Sequence, residues 1–228
     1  MKSVVVLLLS AVLFLQPGLA AASELSKLGD ATSVLREIMS IPERGIPPQL
    51  FRNAHGIAVI PGLLKAGFIV GARYGTGVLA INRGGKWSNP VFISLAGGSF
   101  GLQIGAESTD IILVFKTARS VDAVRRGQFT LGADASIAAG PVGRHAEAGT
   151  DIQLRAEIYS YSRARGVFGG LALEGAVLQI DNGANVALYG PKGGYAEDIF
   201  AGKVKAPSAA ANFRQSLQKY MGGGKKRK

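Results

Sequence analysis

The sequence predicts an α+β domain: a curved antiparallel β-sheet, closed into a barrel or folded as a sandwich, flanked by N- and C-terminal helices. Three observations predict it. Glycine accounts for 32 of 228 residues and recurs inside apolar, β-branched segments (Gly67, Gly71, Gly75, Gly77; Gly97, Gly98, Gly101, Gly105; Gly166, Gly169, Gly170, Gly175), as bent strands require. A helical period at both ends of the chain encloses a middle that alternates. There is no cysteine, so neither disulfides nor thiolate metal sites substitute for an apolar core.

The chain opens with Lys2, an apolar run from Val4 to Leu15 broken only by Ser10, and Pro17-Gly18, which break the helix. Ala20-Ala21-Ala22 follows. This is the order of a secretory signal, with cleavage expected before Ser23. The expected organisation is a signal peptide over 1–22, one domain over 23–221 and a disordered basic tail over 222–228. With no Cys after the cleavage point, N-terminal lipid anchoring is not expected, and no other run is long enough to span a bilayer.

Ser23 to Ile41 reads as a helix with Leu25, Leu28, Val34, Leu35, Ile38 and Met39 on one stripe. That stripe packs on the sheet or lies in a lipid interface. Pro42 ends it, and Pro47-Pro48 starts a short helix through Leu50 and Phe51. Strands are then expected over Gly56–Ile60, closed by Pro61, and over Phe68–Tyr74 and Gly77–Asn82 as a hairpin pair. A turn at Arg83–Lys86 separates these from strands at Val91–Leu95, Ser99–Ile104 and Asp110–Phe115. A short helix covers Ser120–Gln128, with Arg125 and Arg126 exposed. Gln153–Tyr161 and Val167–Ile180 read as strands, Asp181-Asn182-Gly183 as a turn, Tyr195–Ala201 as a brief helix, and Pro207–Met221 as the last helix, with Phe213, Leu217 and Tyr220 on one face. No repeat of fixed period occurs.

Catalytic and metal motifs are weak. Gly97-Gly98-Ser99-Phe100-Gly101 fits a nucleophile elbow, with Asp110, Asp122 or Asp134 and then His145 in hydrolase order, but Leu102 and Ile104 continue a strand where an elbow needs a helix. The two histidines, His55 and His145, lack metal-ligand spacing. His55 is expected to pack beside an apolar strand, His145 to sit in a loop. Gly75-Thr76-Gly77-Val78-Leu79-Ala80 lacks the helix of a dinucleotide site, and no Ser or Thr follows Lys86 in Gly84-Gly85-Lys86-Trp87. No cofactor or metal is expected.

The net charge is +11, of which Lys225, Lys226, Arg227 and Lys228 carry four. Such a balance calls for an acidic partner. Export argues against nucleic acid and leaves an anionic membrane surface. The basic tail is a solubilising end or a polybasic membrane contact.

Many segments in register resemble the SYLF domain, a lipid-binding module also described in fungi as an actin-regulator domain. They are Ala54–Pro61; Gly67-Phe68 through Gly71 to Gly75–Leu79; Trp87–Pro90; Gly98–Gly101; Gln103–Ala106 with Thr109-Asp110; Ala139–Arg144; Tyr159–Ser162; Gly166–Gly170; Leu173–Gly175; and Tyr189-Gly190. The resemblance runs from about residue 25 to 218. It implies a non-enzymatic domain that binds acidic phospholipids, phosphoinositides among them in eukaryotic relatives, with an amphipathic N-terminal helix taking part. Here Asp30 and Glu37 leave that helix less basic, and no SH3 or FYVE module is read. The resemblance also makes Ser99 part of a glycine-rich strand and Trp87–Pro90 a structural turn with Trp87 packed on the sheet.

The expected function is non-enzymatic binding of anionic phospholipid by an exported, periplasmic or secreted, peripherally membrane-associated domain, through Lys27, Arg36, Lys65, Arg125, Arg126 and Lys225, Lys226, Arg227 and Lys228. Actin is not an expected partner in that compartment, and the sequence leaves the oligomeric state open. The alternatives are a carrier of an apolar ligand, an envelope scaffold, and a serine esterase using Ser99.

Overall fold

Two strands of exceptional length organise the molecule, whose computed structural model describes residues 17–41, 45–141, 155–164, 167–169 and 173–222. Strand β1 (Gly56–Arg83) runs antiparallel to β3 (Val91–Phe115), with Gly56 opposite Phe115 and Leu79 opposite Val91. Between them the two-residue strand β2 (Lys86–Trp87) pairs back on Asn82 and Arg83. Gly84 and Gly85 make the turn with φ of 58° and 86°, the doubly positive pattern of a tight hairpin turn, and Asn82 Oδ1 accepts the Gly85 N–H at 2.9 Å.

A straight strand of 28 residues would be roughly 90 Å long. The ribbon curls instead. A β-carbon on Gly75 would lie 2.8 Å from Leu63 Cδ1 and 2.9 Å from Ile60 Cγ2, so the two ends of β1 close on each other and only glycine fits between them. The other strands complete a half-barrel of eight. Strand β6 (Ile158–Ala164) pairs with β3 at Asp110–Phe115, and β8 (Val177–Ile180) with β3 at Ile93–Ala96. Strands β4 (Phe129–Thr130), β5 (Ile137–Ala139) and β7 (Val167–Gly169) lie on β8, β6 and β6 respectively. The α+β class with a curled sheet and terminal helices is as the sequence predicts.

The alternation of the strands divides the core in two. Ile57, Val59, Val78, Phe92, Ile112 and Val114 point to one side, Ala58, Ile60, Leu79, Ile93, Ile111 and Leu113 to the other. Helix α1 (Pro17–Ser40) and the last helix, α6 (Ser208–Met221), cover the first side with Leu28, Leu35 and Ile38, and with Ala210, Phe213 and Leu217, all fully buried. Helix α2 (Pro48–Arg52) adds Phe51, whose ring lies 6.1 Å from that of the buried Trp87. Helices α3 (Ala118–Arg125) and α5 (Ala196–Phe200) cover the second side through Val121, Val124, Ile199 and Phe200.

Several expectations are corrected. The segments Gly56–Ile60, Phe68–Tyr74 and Gly77–Asn82 are one strand, as are Val91–Leu95, Ser99–Ile104 and Asp110–Phe115, because their glycines bend the ribbon without reversing it. Pro61 does not stop β1. It falls in the register shift between Ile60 and Leu63, where a missing N–H breaks no ladder, and Asp110 Oδ1 accepts the next N–H, that of Gly62, at 3.0 Å. Asp181 is no turn residue but the N-cap of helix α4 (Asn182–Tyr189), accepting from the Ala184 N–H at 2.9 Å. Helix α1 already includes Pro17 and Gly18, six and five residues before the expected Ser23, so this pair does not break the helix. Thr117 caps α3 through the Ser120 N–H, placing the start at Ala118 and leaving Arg126 as C-cap.

Candidate functional site

The cations singled out in the sequence lie on three separate elements. Lys27 and Arg36 are on α1. Arg36 is exposed beside Tyr220, while Lys27 Nζ pairs with Glu24 Oε1 at 3.0 Å. Lys65 is half-buried in the middle of β1, its cross-strand neighbour being Glu107. Arg125 and Arg126 end α3 and differ sharply. Arg125 bridges Glu197 at 2.5 Å and Asp122 at 2.6 Å, and the hydrogen bond from Glu197 above all raises its pKa. Arg126 is exposed and lines an open cleft of about 350 Å³ with Arg119, Gln128, Phe129 and Asp134. Lys225, Lys226, Arg227 and Lys228 lie outside the described residues, as does His145.

Arg163 was not read from the sequence. On β6, it pairs with Glu37 of α1 and, at 2.7 Å, with Asp110 of β3. Like Arg125, it holds two carboxylates at once. The ion pairs named so far, with Arg119–Glu157 and Lys203–Asp198, engage seven carboxylates but only five cations. These paired groups sum to a net negative charge, so the charge of the chain outside them is more positive than its overall +11.

The apolar stripe of α1 faces the sheet. Lifting the helix would uncover the core that Leu28, Leu35 and Ile38 close, at about 1.5–3 kcal/mol for each side chain, whereas Lys27 and Arg36 would gain about 1 kcal/mol each on an anionic surface. The helix is therefore a structural cover, and of its two cations Arg36 is the one presented to solvent.

The middle of β1 offers what the sequence reading missed. Leu64, Val70 and Tyr74 stand 56%, 63% and 55% exposed. The missed signal is an apolar residue at every even position from Leu64 to Tyr74. Alternation shows that a strand is two-faced, but not which face is wet.

Ser99 lies in the continuous strand β3 opposite Gly71, and the helix that would support a nucleophile elbow is absent there. The side chain of His55 is exposed, not packed; its backbone N–H extends the sheet by donating to Phe115 O at 2.8 Å. No group of three potential ligands could hold a metal among the described residues. No described helix is long and apolar enough to cross a membrane. A second cleft, about 420 Å³, is lined by Leu131, Gly132, Ile137, Glu174 and Gly175 and is likewise open to solvent; neither cleft encloses an apolar cargo.

The chain matches the family model described as "Ysc84: Las17-binding protein actin regulator" over residues 96–220, from the first part of β3 to the last turn of α6. It is 36% identical over 197 residues to the SH3 domain-containing YSC84-like protein 1 of Xenopus laevis, covering 83% of this chain and 58% of that protein. To the human protein of the same name it is 33% identical over 202 residues, covering 86% and 58%. To Protein YSC84 of Saccharomyces cerevisiae it is 36% identical over 177 residues, covering 76% and 37%. The chain thus spans at most about six-tenths of the length of these relatives.

Proposed function

This chain belongs to the Ysc84 family, and from that premise we propose that it is a non-enzymatic domain that binds the surface of an anionic phospholipid membrane. The observation that carries the reading is the charge left facing solvent. In a chain of net charge +11, Arg36 and Arg126 are exposed and outside the ion pairs described above, while Arg125 and Arg163 are each held between two carboxylates. A surface so biased attracts a polyanionic plane over a Debye length, about 8 Å at physiological salt. Lys2, the apolar run to Leu15 and the Ala20-Ala21-Ala22 site support a second part of the proposal, that the domain is exported and meets this surface outside the cytoplasm.

Co-sedimentation with phosphatidylglycerol vesicles across a salt series tests it. Binding should be strong at low salt and fall steeply as salt rises. Absence of binding at low salt rejects the reading, and binding indifferent to salt points instead to an internally carried apolar ligand. The family's description as an actin regulator supports a second reading, in which the basic surface meets an acidic actin filament. Sedimentation with filaments in place of vesicles decides between the two.

A further inference from the structure

Between the end of its β8 pairing at Ala96 and the start of its β6 pairing at Asp110, β3 is joined only to β1 among the described residues. The ribbon here is two strands wide. Exposure alternates along β1 except at Gly67, which is exposed at the register shift: Leu64, Ala66, Val70, Ala72 and Tyr74 are exposed, whereas Lys65, Gly71 and Arg73 are half-buried. Across the ladder, exposed Tyr74 lies opposite Ala96, Ala72 opposite Gly98 and Leu64 opposite Ser108, and these partners are exposed too.

The outward face is therefore free of charge at every described position. A sheet face turned to water normally reads polar, and this one reads apolar. Three of the six large apolar side chains that stand exposed among the described residues fall within this stretch. The cations sit on the other face. Arg73 Nε donates to Gly98 O across the ribbon at 2.8 Å, and Lys65 lies at the far end of the same stretch.

We propose that this curled stretch, Leu64–Tyr74 with the facing part of β3, is the element that enters the membrane: its apolar face sinks into the interfacial layer of an anionic bilayer while Lys65 and Arg73 reach the headgroup phosphates. The proposal rests on the surface-binding reading above and names the element that makes the contact. Charge selects the occupant. A second copy of the chain would also cover the apolar face, but it carries the same net charge of +11 and brings no anion to Lys65 and Arg73 on the other face, whereas an anionic bilayer supplies the opposite sign at its headgroups. Long cationic side chains beside an apolar surface keep their heads at a polar boundary, and tyrosine favours the same layer.

The chain has no cysteine, so a single introduced thiol can be labelled cleanly. Val70→Cys carrying an environment-sensitive fluorophore should brighten several-fold and shift to the blue on phosphatidylglycerol vesicles, and be quenched by brominated acyl chains. The same label at Ser33→Cys, exposed on α1, should stay silent. Replacing Val70 and Tyr74 together by Asp should weaken vesicle binding about tenfold or more while leaving the melting temperature unchanged. Vesicle binding with a silent Val70 probe, or with affinity untouched in the double Asp variant, overturns the insertion while leaving surface binding intact. A Val70 probe that responds to protein concentration without vesicles overturns it in favour of a second copy. Failure of the wild-type protein to bind acidic vesicles at low salt removes both proposals together.

Discussion

Gly77 packs so closely against Val59 that a β-carbon on it would sit 2.1 Å from the Val59 carbonyl oxygen. The obstacle is backbone, which cannot rotate aside. Gly77→Ala should therefore cost about 3 kcal/mol or more, read as a lowered denaturant midpoint. Gly98→Ala, where nothing lies within 4 Å of the added carbon, should leave the midpoint nearly unchanged. Equal effects from the two would show that the ribbon does not close on itself.

Arg163 ties α1 to β3 through Glu37 and Asp110 while its side chain is 26% exposed. Pairs this open to solvent are weak, so Arg163→Ala should cost only about 1–2 kcal/mol globally. The local effect should be larger. Hydrogen exchange should quicken in the last turns of α1, next to Glu37, more than in α6. Uniform acceleration in both helices would mean that Arg163 does not act as a tether.

Two tyrosines set the alkaline limit. Burial raises the pKa of Tyr161 and of Tyr189 above the ordinary value of 10, and the Tyr189 hydroxyl donates to Pro90 O at 2.7 Å. The folded chain keeps these protons at pH values where the unfolded chain has lost them. Their contribution is fully present below pH 10 and disappears as pH climbs beyond it. Denaturation midpoints measured from pH 8 upward should decline past about pH 10, and Tyr161→Phe should flatten the decline. An unchanged slope in that variant would remove Tyr161 from the account.

The cations should separate by their partners. Lys65→Glu and Arg126→Glu should each lower affinity for acidic vesicles by at least about fivefold at low salt, from about 1 kcal/mol per cation, and reduce the salt dependence. Arg125→Gln should barely change that affinity but should lower stability, because it leaves Glu197 and Asp122 unpaired. If Arg125→Gln weakens vesicle binding as much as Arg126→Glu does, the ion pairs do not decide which cations reach the lipid.

The helices were legible in the sequence because their signals are local: the Leu28, Leu35 and Ile38 stripe, Pro48 at a helix start, Phe213 and Leu217 one turn apart. The continuity of β1 and β3 was not. Glycine is a turn residue in isolation, and only the approach of Gly75 to Leu63, distant in sequence, shows that here it serves a bend. Asp181 was misread for a related reason, since Asp-Asn-Gly suits a hairpin turn and a helix N-cap equally, and the helix beyond it settles the choice. At the candidate site the cations were visible in the composition, but the double carboxylate loads of Arg125 and Arg163 depend on Glu197 and Glu37, each far away in sequence. The apolar face of Leu64–Tyr74 was visible as alternation, while its orientation toward solvent follows only from the lack, among the described residues, of a third strand or helix over it.

The Gly84-Gly85 turn has a consequence for how the chain acquires its fold. Every rung of the long ladder is nested around it, from Arg83 with Lys86 out to Gly56 with Phe115. The ribbon can zip from that turn outward, each new rung lengthening the closed loop by only a few residues and so adding little entropic penalty. Docking of α1, which precedes the ladder, and of α6, which follows it, awaits the last rungs, because the surface they cover includes Ile57 and Val114. The hairpin turn is thus the natural nucleus, and the two terminal helices are the natural last arrivals.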